Sequence, residues 1–516
     1  MQRLASYLSG AWQTGAGEGA ALRDPTSGAI VARTSTAGLD LGAALRHARE
    51  VGGPALRSLT FAARGKLLAA MSKAIHAERE ALIEMGRKNG GNTRGDAKFD
   101  IDGATGTLMY YAGLAESLGE RTVLLDGEAI TIGRSSRLVG QHILTPKPGV
   151  AVHINAFNFP AWGLAEKAAC ALLAGMPVIS KPATATALMT WGLVKAVIDA
   201  DVLPEGALGL ICGGAGDLLD HLEWSDVVAF TGGASTGETI RRHPRVLASG
   251  VAVNVETDSL NAAILAPGAE DATYDAFIRD VHGEMTQKSG QKCTATRRIL
   301  VPRDRLDDVI EDLGERLRRT VVGDPALDTV RMGPLASQAQ LDSAREGLAR
   351  LLEHARVAVG DPARSAFEGV EPGQGCFLDA LLLVADDARR AGPVHDVEVF
   401  GPVATLLPYD GSAAEAAHIV RLGQGSLVAS IYGDDQAFLG EAILALAGWH
   451  GRIVVTDGKI ADKALQPGMV MPHLLHGGPG RAGGGEELGG RRGMKLYQQR
   501  TAVQGNGPLL ARLLDA

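Results

Sequence analysis

Between residues 149 and 256 the chain alternates between short apolar, β-branched runs and helix-length runs. "GVAVHIN", "PVISK", "ALGLICGG", "DVVAFTGG" and "GVAVNVE" read as strands, with "FPAWGLAEKAACALLAG", "ATALMTWGLVKAVIDAD", a short helix and "STGETIRRH" between them. Parallel neighbours need a crossover of about helix length, and such crossovers are right-handed. The alternation therefore predicts a doubly wound, Rossmann-like parallel sheet. Pro160 is expected in the first turn of the helix over 159–175, where its missing N–H costs nothing. After Cys293 the pattern restarts with strand "RRILVP" and helix "DRLDDVIEDLGERLRRTVVG". At 516 residues the chain exceeds what one core organises. A second α/β domain is expected, with its boundary near 256–262.

The flanks read differently. The first 120 residues are expected to be helical after a short β start. "GAALRHAREVG" forms one helix, and "RGKLLAAMSKAIHAEREALIEMGRKNGG" forms another that ends at a glycine pair. Residues 121–147 carry short β-rich pieces and predict a ribbon or hairpin. The tail from His476 starts as a Gly-rich loop and ends in a further strand.

A formal charge of −8 with scattered Lys and Arg gives no basic footprint, which argues against nucleic acid or an anionic membrane as partner. No apolar run reaches the roughly 18 residues of a membrane span, and the N-terminus has no apolar signal core. Four cysteines lie far apart with no C-x-x-C pair, so neither a metal site nor a disulfide framework is indicated, and a reducing, cytoplasmic setting follows.

Within this frame a few residues carry chemistry. Cys293, in "SGQKCTAT", stands among small and polar residues, unlike a structural cysteine, and is the nucleophile candidate. Glu256 ends the last strand of the first domain, where a carboxylate is solvated, paired or kept for proton transfer. Asn158 in "NAFNFP" is either an N-cap or a donor to an oxygen that becomes negative during reaction. Lys181 in "ISKPATAT" lies on the same rim, as a solvated group or a ribose or phosphate ligand. "FTGGASTG" puts Gly232, Gly233 and Gly237 between strand and helix, as a plain turn or a phosphate cradle. The Gly-rich "CGGAG" at 212–216 reads as a loop. His282 is an alternative base, better explained as a helix-face residue.

Together with "MGPLAS" and "EVFGPV", these motifs resemble the aldehyde dehydrogenase superfamily over nearly the whole chain. "VETDSLN" with "EMTQKSGQKCTATRRI" is similar to the branch that oxidises CoA-bound semialdehydes in aerobic benzoate and phenylacetate breakdown. The chain lacks room for the hydratase-like domain of the phenylacetate enzymes, so the free-standing benzoate type is expected. The resemblance implies Cys293 as nucleophile, Glu256 as general base and Asn158 as the oxyanion-stabilising amide. It implies a cofactor cleft lined by Ile154, Asn155, Lys181, Ala183, Thr184, Thr231, Gly232, Gly233, Gly237, Glu398 and Phe400. Lys181 falls at the adenosine-ribose position, Glu398 at the nicotinamide-ribose position, and Phe400 beside the nicotinamide. Lys167 matches a structural Lys, and Glu487 resembles a Glu of the family that stands behind the reacting groups. Many NAD-preferring members have a Glu where Thr184 stands, so NADP is expected, with NAD also possible. "ETDSL" replaces the usual "ELGGK", and Gly233 stands where Ser is common.

The resemblance further implies a dinucleotide-binding domain over 1–120 and 148–256 and a catalytic domain over 257–465. It also implies a Gly-rich segment over 466–490 returning towards the active site and an oligomerisation arm from 121–147 and 491–516, giving a homodimer. The expected reaction is NADP-dependent oxidation of a CoA-thioester aldehyde of the 3,4-dehydroadipyl-CoA semialdehyde type. It would run through a cysteine thiohemiacetal and a thioester hydrolysed by Glu256-activated water. The alternatives are the phenylacetate-pathway semialdehyde, a small free aldehyde or, in a different class, a non-catalytic nucleotide-binding protein.

Overall fold

The alternating region folds as β1 (Ala151–Ile154), β2 (Val178–Lys181), β3 (Leu208–Leu210), β4 (Val227–Thr231) and β5 (Ala252–Glu256). Helices α1 (Trp162–Ala174), α2 (Ala187–Asp199) and α3 (Ala234–Arg241) connect them, in a computed structural model that describes residues 2–514. The strands lie in the order β5–β4–β1–β2–β3, all parallel. An antiparallel hairpin of Ser6–Leu8 and Ala11–Gln13 extends the sheet past β3. The winding reverses between β1 and β4, and such a switch point opens a crevice at the carboxyl ends of the strands.

Helix α1 is buried around its whole circumference, which its Ala- and Leu-rich sequence allows. It begins two residues after Pro160, which therefore lies outside the first turn. The reason is tertiary: Asp100 accepts from the Trp162 N–H (2.8 Å) and the Ala161 N–H (3.4 Å), and so starts the helix there.

The second sheet contains β6 (Asn261–Leu265), β7 (Thr296–Pro302), β8 (Leu381–Val384), β9 (Val403–Tyr409), β10 (Ser426–Tyr432) and β11 (His450–Thr456). Their order is β8–β9–β7–β6–β10–β11, all parallel, with Arg356–Val359 antiparallel at the β8 edge. Helices α4 (Asp271–Thr286) and α5 (Leu306–Arg319) flank β7 in sequence. The mixed α/β architecture, with two sheets built mainly from parallel strands, agrees with the expected fold class. Helix α5 stops at Arg319, short of the expected "TVVG", and Val322 leaves it to bridge to Met332.

Two further elements differ from expectation. The helix expected over 64–91 is two helices, Phe61–Ala77 and Arg79–Gly90, broken at Glu78. The second piece turns to pack on α2, where a Cβ on Gly86 would lie 2.3 Å from Met189 Cε. "GAALRHAREVG" finishes in a π-helical turn, Ala48–Gly52.

The ribbon strand Leu138–Pro146 pairs antiparallel with Gln498–Asn506 along its full nine residues. Leu124–Leu125 and Ile130–Thr131 add to it, and the helix Gly507–Leu514 follows. Residues 515–516 of the expected arm lie outside the described residues. Among the described residues no helix is long and apolar enough to cross a membrane.

Candidate active site

The rim is assembled from strand ends. β1 ends at Ile154. Next comes Asn155, whose Nδ2 donates to Ser180 Oγ (3.2 Å) while its Oδ1 is buried without a partner. β2 ends at Lys181, with Nζ donating to the Pro182 carbonyl (3.1 Å). After Ala183, the Thr184 hydroxyl donates to the Gly213 carbonyl (3.1 Å) in the loop after β3. β4 ends at Thr231, whose Oγ1 is also buried and unpartnered. Gly232 follows, its N–H bonded to the Glu256 carbonyl (3.1 Å), and a Cβ there would meet the Phe230 ring at 2.6 Å. Gly237 packs against Val255, while Gly233 is exposed with open space beside it.

"EVFGPV", just before β9, brings two more residues to this edge. Glu398 Oε2 accepts from the Ser259 N–H (3.0 Å), and Oε1 has no hydrogen bond, with Arg297 Nε at 3.6 Å. Burial pushes the Glu398 carboxyl up to about 7 in spite of Arg297. The Phe400 ring meets Phe157 edge-on at 5.6 Å, and the Arg297 guanidinium lies 5.3 Å from its centroid. Asn155 Oδ1 and Thr231 Oγ1, at strand ends of the first sheet, and Glu398 Oε1, in the loop before β9, are three buried oxygens without partners. Such atoms each cost about 1–3 kcal/mol unless a ligand meets them, so this set of acceptors fits a ligand rich in hydroxyl donors, such as a nucleotide.

The thiol reaches the site from the amino end of β7, opposite the carboxyl ends of the first sheet. The turn before it is strained: Lys288 (φ 52°), Ser289 (φ 55°) and Gly290 (φ 68°) are successively left-handed. Distant residues hold it. Asp96 Oδ1 accepts from the Lys288 N–H (3.0 Å), and Ser289 Oγ donates to the Gly333 carbonyl (2.7 Å) of "MGPLAS". Lys288 Nζ lies 3.7 Å from Asp100 and 4.4 Å above the Phe159 ring. Lys292 pairs with Glu284 (3.0 Å), and Asn261 Nδ2 donates to the Cys293 carbonyl (2.8 Å).

A narrow cavity collects the reactive side chains, with Asn158, Glu256 and Cys293 all on its wall. Glu256, at the end of β5, is buried and lies 3.0 Å from His476 Nε2. Cys293 Sγ lies 3.9 Å from the same nitrogen. Burial alone would raise the Glu256 carboxyl, but the His476 imidazolium, with Lys167 beyond it, holds it below the usual carboxylate range. Burial and the Glu256 charge push the Cys293 thiol well up. Behind them Lys167 contacts Glu487 (3.0 Å) and Glu166 (3.1 Å), and Asn254 Nδ2 donates to Glu487 (3.2 Å). Burial opposes the Lys167 charge, but the two carboxylates outweigh it.

His282 is elsewhere, on α4, with Nε2 2.8 Å from Thr320 Oγ1. His476 is absent from the sequence-based candidates. It sits on Leu475–Gly477, where it is the cross-strand partner of Glu487 on Glu486–Leu488. Its one sequence signal is a histidine just before a glycine pair, which gives no direction for its ring. Cys170, Cys212 and Cys376 are buried, and Cys293 is partly accessible.

Comparison with known proteins places this arrangement. The family model described as "Aldehyde dehydrogenase family" matches residues 12–503. The chain is 46% identical over 482 residues to 3,4-dehydroadipyl-CoA semialdehyde dehydrogenase of Aromatoleum evansii, covering 92% of this chain and 93% of that protein. Among solved structures, lactaldehyde dehydrogenase of Escherichia coli superposes with a TM-score of 0.85 at 23% identity, over 98% of this chain and 99% of that one. The NAD+ complex of aldehyde dehydrogenase from Bacillus cereus gives 0.84 at 22% identity, over 98% and 97%.

Proposed function

The chain belongs to the aldehyde dehydrogenase family, and from that membership we propose that it oxidises a CoA-bound semialdehyde of the 3,4-dehydroadipyl-CoA semialdehyde type to the acid, with NADP as acceptor. One observation carries the chemistry: Cys293, Glu256 and Asn158, from three separate segments, line a single cavity. Cys293 Sγ adds to the aldehyde carbon. The oxygen that becomes negative is held by the Asn158 amide and the Cys293 backbone N–H. Lys181, Thr184, Gly232 and Gly237 take the adenosine and phosphate side of the dinucleotide. Glu398 and Phe400 take the nicotinamide side, and Ile154, Asn155, Ala183, Thr231 and Gly233 line the cleft. When bound, the nicotinamide supplies the acceptor for the hydride lost from the aldehyde carbon. Glu256 takes a proton from the water that attacks the enzyme thioester, and the acid leaves. The substrate's own CoA thioester stays intact as a handle.

Two observations support the substrate. The Aromatoleum evansii relative matches over nearly its whole length. An apolar groove lined by Phe99, Gly103, Tyr110, Met469 and Met471 shares Trp162 and Val470 with the thiol cavity. Such a groove suits an acyl chain that continues beyond the aldehyde. Thr184 supports NADP, because no carboxylate stands there to repel a 2′-phosphate. We also propose a cytoplasmic homodimer built through the ribbon, whose Ile130, Ile132 and Leu138 are exposed.

The test is steady-state kinetics of the purified chain with CoA-bound and free aldehydes under NADP and NAD. The expected outcome is a kcat/KM at least about tenfold higher for the CoA semialdehyde. Equal values would remove CoA from the substrate and favour a small free aldehyde. No turnover with any pair would favour the nucleotide-binding module.

A further inference from the structure

Two groups of the proposed reaction stand beside a histidine that the reaction does not use. Cys293 Sγ, His476 Nε2 and a carboxylate oxygen of Glu256 all lie within 4.8 Å of one another. The nitrogen is 3.9 Å from the sulfur and 3.0 Å from Glu256 Oε2. His476 is 4% and Glu256 2% exposed, and Oε2 is buried without a hydrogen bond. Zn²⁺ sits about 2.0–2.3 Å from nitrogen, oxygen and sulfur donors, which puts the donors of a tetrahedral site about 3.4–3.7 Å apart. The two measured separations fall on either side of that value, so side-chain shifts of about half an ångström close the set around one ion. The three residues are far apart in the sequence, and no ligand spacing announces them.

We infer that Glu256, Cys293 and His476 form a binding site for a thiophilic divalent cation of the Zn²⁺ type, and that filling it stops the enzyme. Binding needs only the three donors; the inhibition follows from the roles proposed above for Cys293 and Glu256. As the ion enters, the S–H bond and the imidazolium N–H bond break, and both protons pass to solvent. Sulfur, nitrogen and carboxylate oxygen each give one lone pair to the metal, and no electron is transferred. A coordinating thiol is deprotonated outright. Its lone pair is then no longer free for the aldehyde carbon, and the Glu256 oxygen no longer free for a proton of water. Both halves of the reaction stop together.

The surroundings favour a divalent ion. Thiolate and carboxylate bring two negative charges, so the filled site is neutral, as a buried charge cluster needs to be. Lys167 is paired with Glu166 and Glu487, while Arg452, held by the Met469 and Pro467 carbonyls, is the nearby cation that opposes the metal. All three ligands line the thiol cavity, which leaves the fourth position to water. One thiolate, one imidazole and one carboxylate suit Zn²⁺, whereas Mg²⁺ and Ca²⁺ require shells of oxygen.

The experiment adds Zn²⁺ to the full chain, free of cofactor and of thiol reductants, and follows alkylation of Cys293 by iodoacetamide through peptide mass. One Zn²⁺ per chain should slow alkylation at least about tenfold, and EDTA should restore the rate. Millimolar Mg²⁺ should leave it unchanged. Co²⁺ in place of Zn²⁺ should give a thiolate-to-metal absorption band that Cys293→Ala lacks. By titration calorimetry His476→Gln should bind Zn²⁺ at least about a hundredfold more weakly, more than the loss of a group that only orients a ligand costs. His476→Ala provides the reading if the Gln variant does not fold. Zn²⁺ binding that leaves alkylation untouched, or that persists undiminished in folded His476→Gln, overturns the site, and so does equal protection by Mg²⁺. Oxidation that continues with the site filled overturns the inhibition. A chain in which Zn²⁺ blocks alkylation as expected but which oxidises no aldehyde without the metal overturns the dehydrogenase reading and leaves the metal site standing.

Discussion

The rim where we propose the cofactor binds and the thiol pocket adjoin, with Asn155 and Thr231 on the wall of the thiol cavity, and are built in different ways. On the rim, Lys181, Thr184 and Gly232 sit at or just past strand ends, partly exposed, and bond to backbone nearby: Lys181 Nζ to Pro182, the Thr184 hydroxyl to Gly213, the Gly232 N–H to Glu256. In the pocket, the reactive residues come from different segments, and buried ion pairs stand around them: Lys288 with Asp100, Lys292 with Glu284, Lys167 with Glu487. The rim is a consequence of sheet topology, whereas the pocket depends on long-range charge pairing. Changes on the rim should therefore alter binding with the fold intact, and changes in the pocket should alter chemistry, stability or both.

The largest effect should come from the sulfur. Cys293→Ala removes the proposed nucleophile and should lower turnover by more than about a thousandfold, measured by cofactor reduction, while NADP binding by fluorescence titration persists. Loss of binding as well would join pocket and rim into one structural unit and break the contrast. Glu256→Gln comes next. It should slow the steady state by roughly 10²–10³-fold and leave a stopped-flow burst of one reduced cofactor per site, because acylation outpaces hydrolysis. A normal steady-state rate would rule out Glu256 as the base.

Stability should separate the regions in a similar way. Lys288→Met leaves Asp100 buried without its cation and should cost about 3 kcal/mol in denaturant unfolding, with a lower kcat as the strained turn before Cys293 relaxes. Lys181→Met should leave unfolding within roughly 0.5 kcal/mol of wild type and raise only the cofactor KM. Equal losses of stability would show that the rim, too, is held by charge.

The contrast also explains what the sequence made legible. Strand–helix alternation has a period readable within about ten residues, so β1 to β5 and the residues at their ends were placed from the text. Cys293 stood out because its neighbours are polar and small. Helix starts fixed by distant partners were not legible: Asp100 begins α1 after Pro160, and packing on α2 accompanies the break at Glu78. His476 was missed for the same reason. Its ring reaches Glu256 only because Leu475–Gly477 pairs with Glu486–Leu488 and the short ribbon lies against the first sheet's rim. A histidine in a Gly-rich loop carries no local period from which that direction can be read.

On the rim, a single carboxylate should change cofactor choice. Thr184→Glu puts negative charge into the turn after β2, where we propose the 2′-phosphate lies. Repulsion of about 1.4 kcal/mol lowers kcat/KM for NADP about tenfold and leaves NAD nearly unchanged. An unaltered NADP-to-NAD ratio would place the 2′-phosphate on other residues.

Glu398 gives the smallest effect and tests where the two regions meet, because it faces the rim while Arg297 ties it to the thiol loop. Its carboxyl is pushed up to about 7 by burial. Below that value it is mostly protonated, and one oxygen is used as a donor; above it, both oxygens accept. A ribose offers hydroxyl donors, so NADP affinity should rise a fewfold between about pH 6 and pH 8. Glu398→Gln, which cannot ionise, should flatten that dependence and weaken binding at the upper end. Arg297, which donates to the Gly290 carbonyl (2.9 Å) and to the Lys292 carbonyl (3.3 Å), would keep the thiol loop in place in that variant. The alkylation profile of Cys293 should then stay where it was. If instead the thiol's reactivity shifts with Glu398→Gln, the carboxylate is coupled through Arg297 to the sulfur, and the boundary between rim and pocket lies nearer the cofactor than the hydrogen bonds suggest.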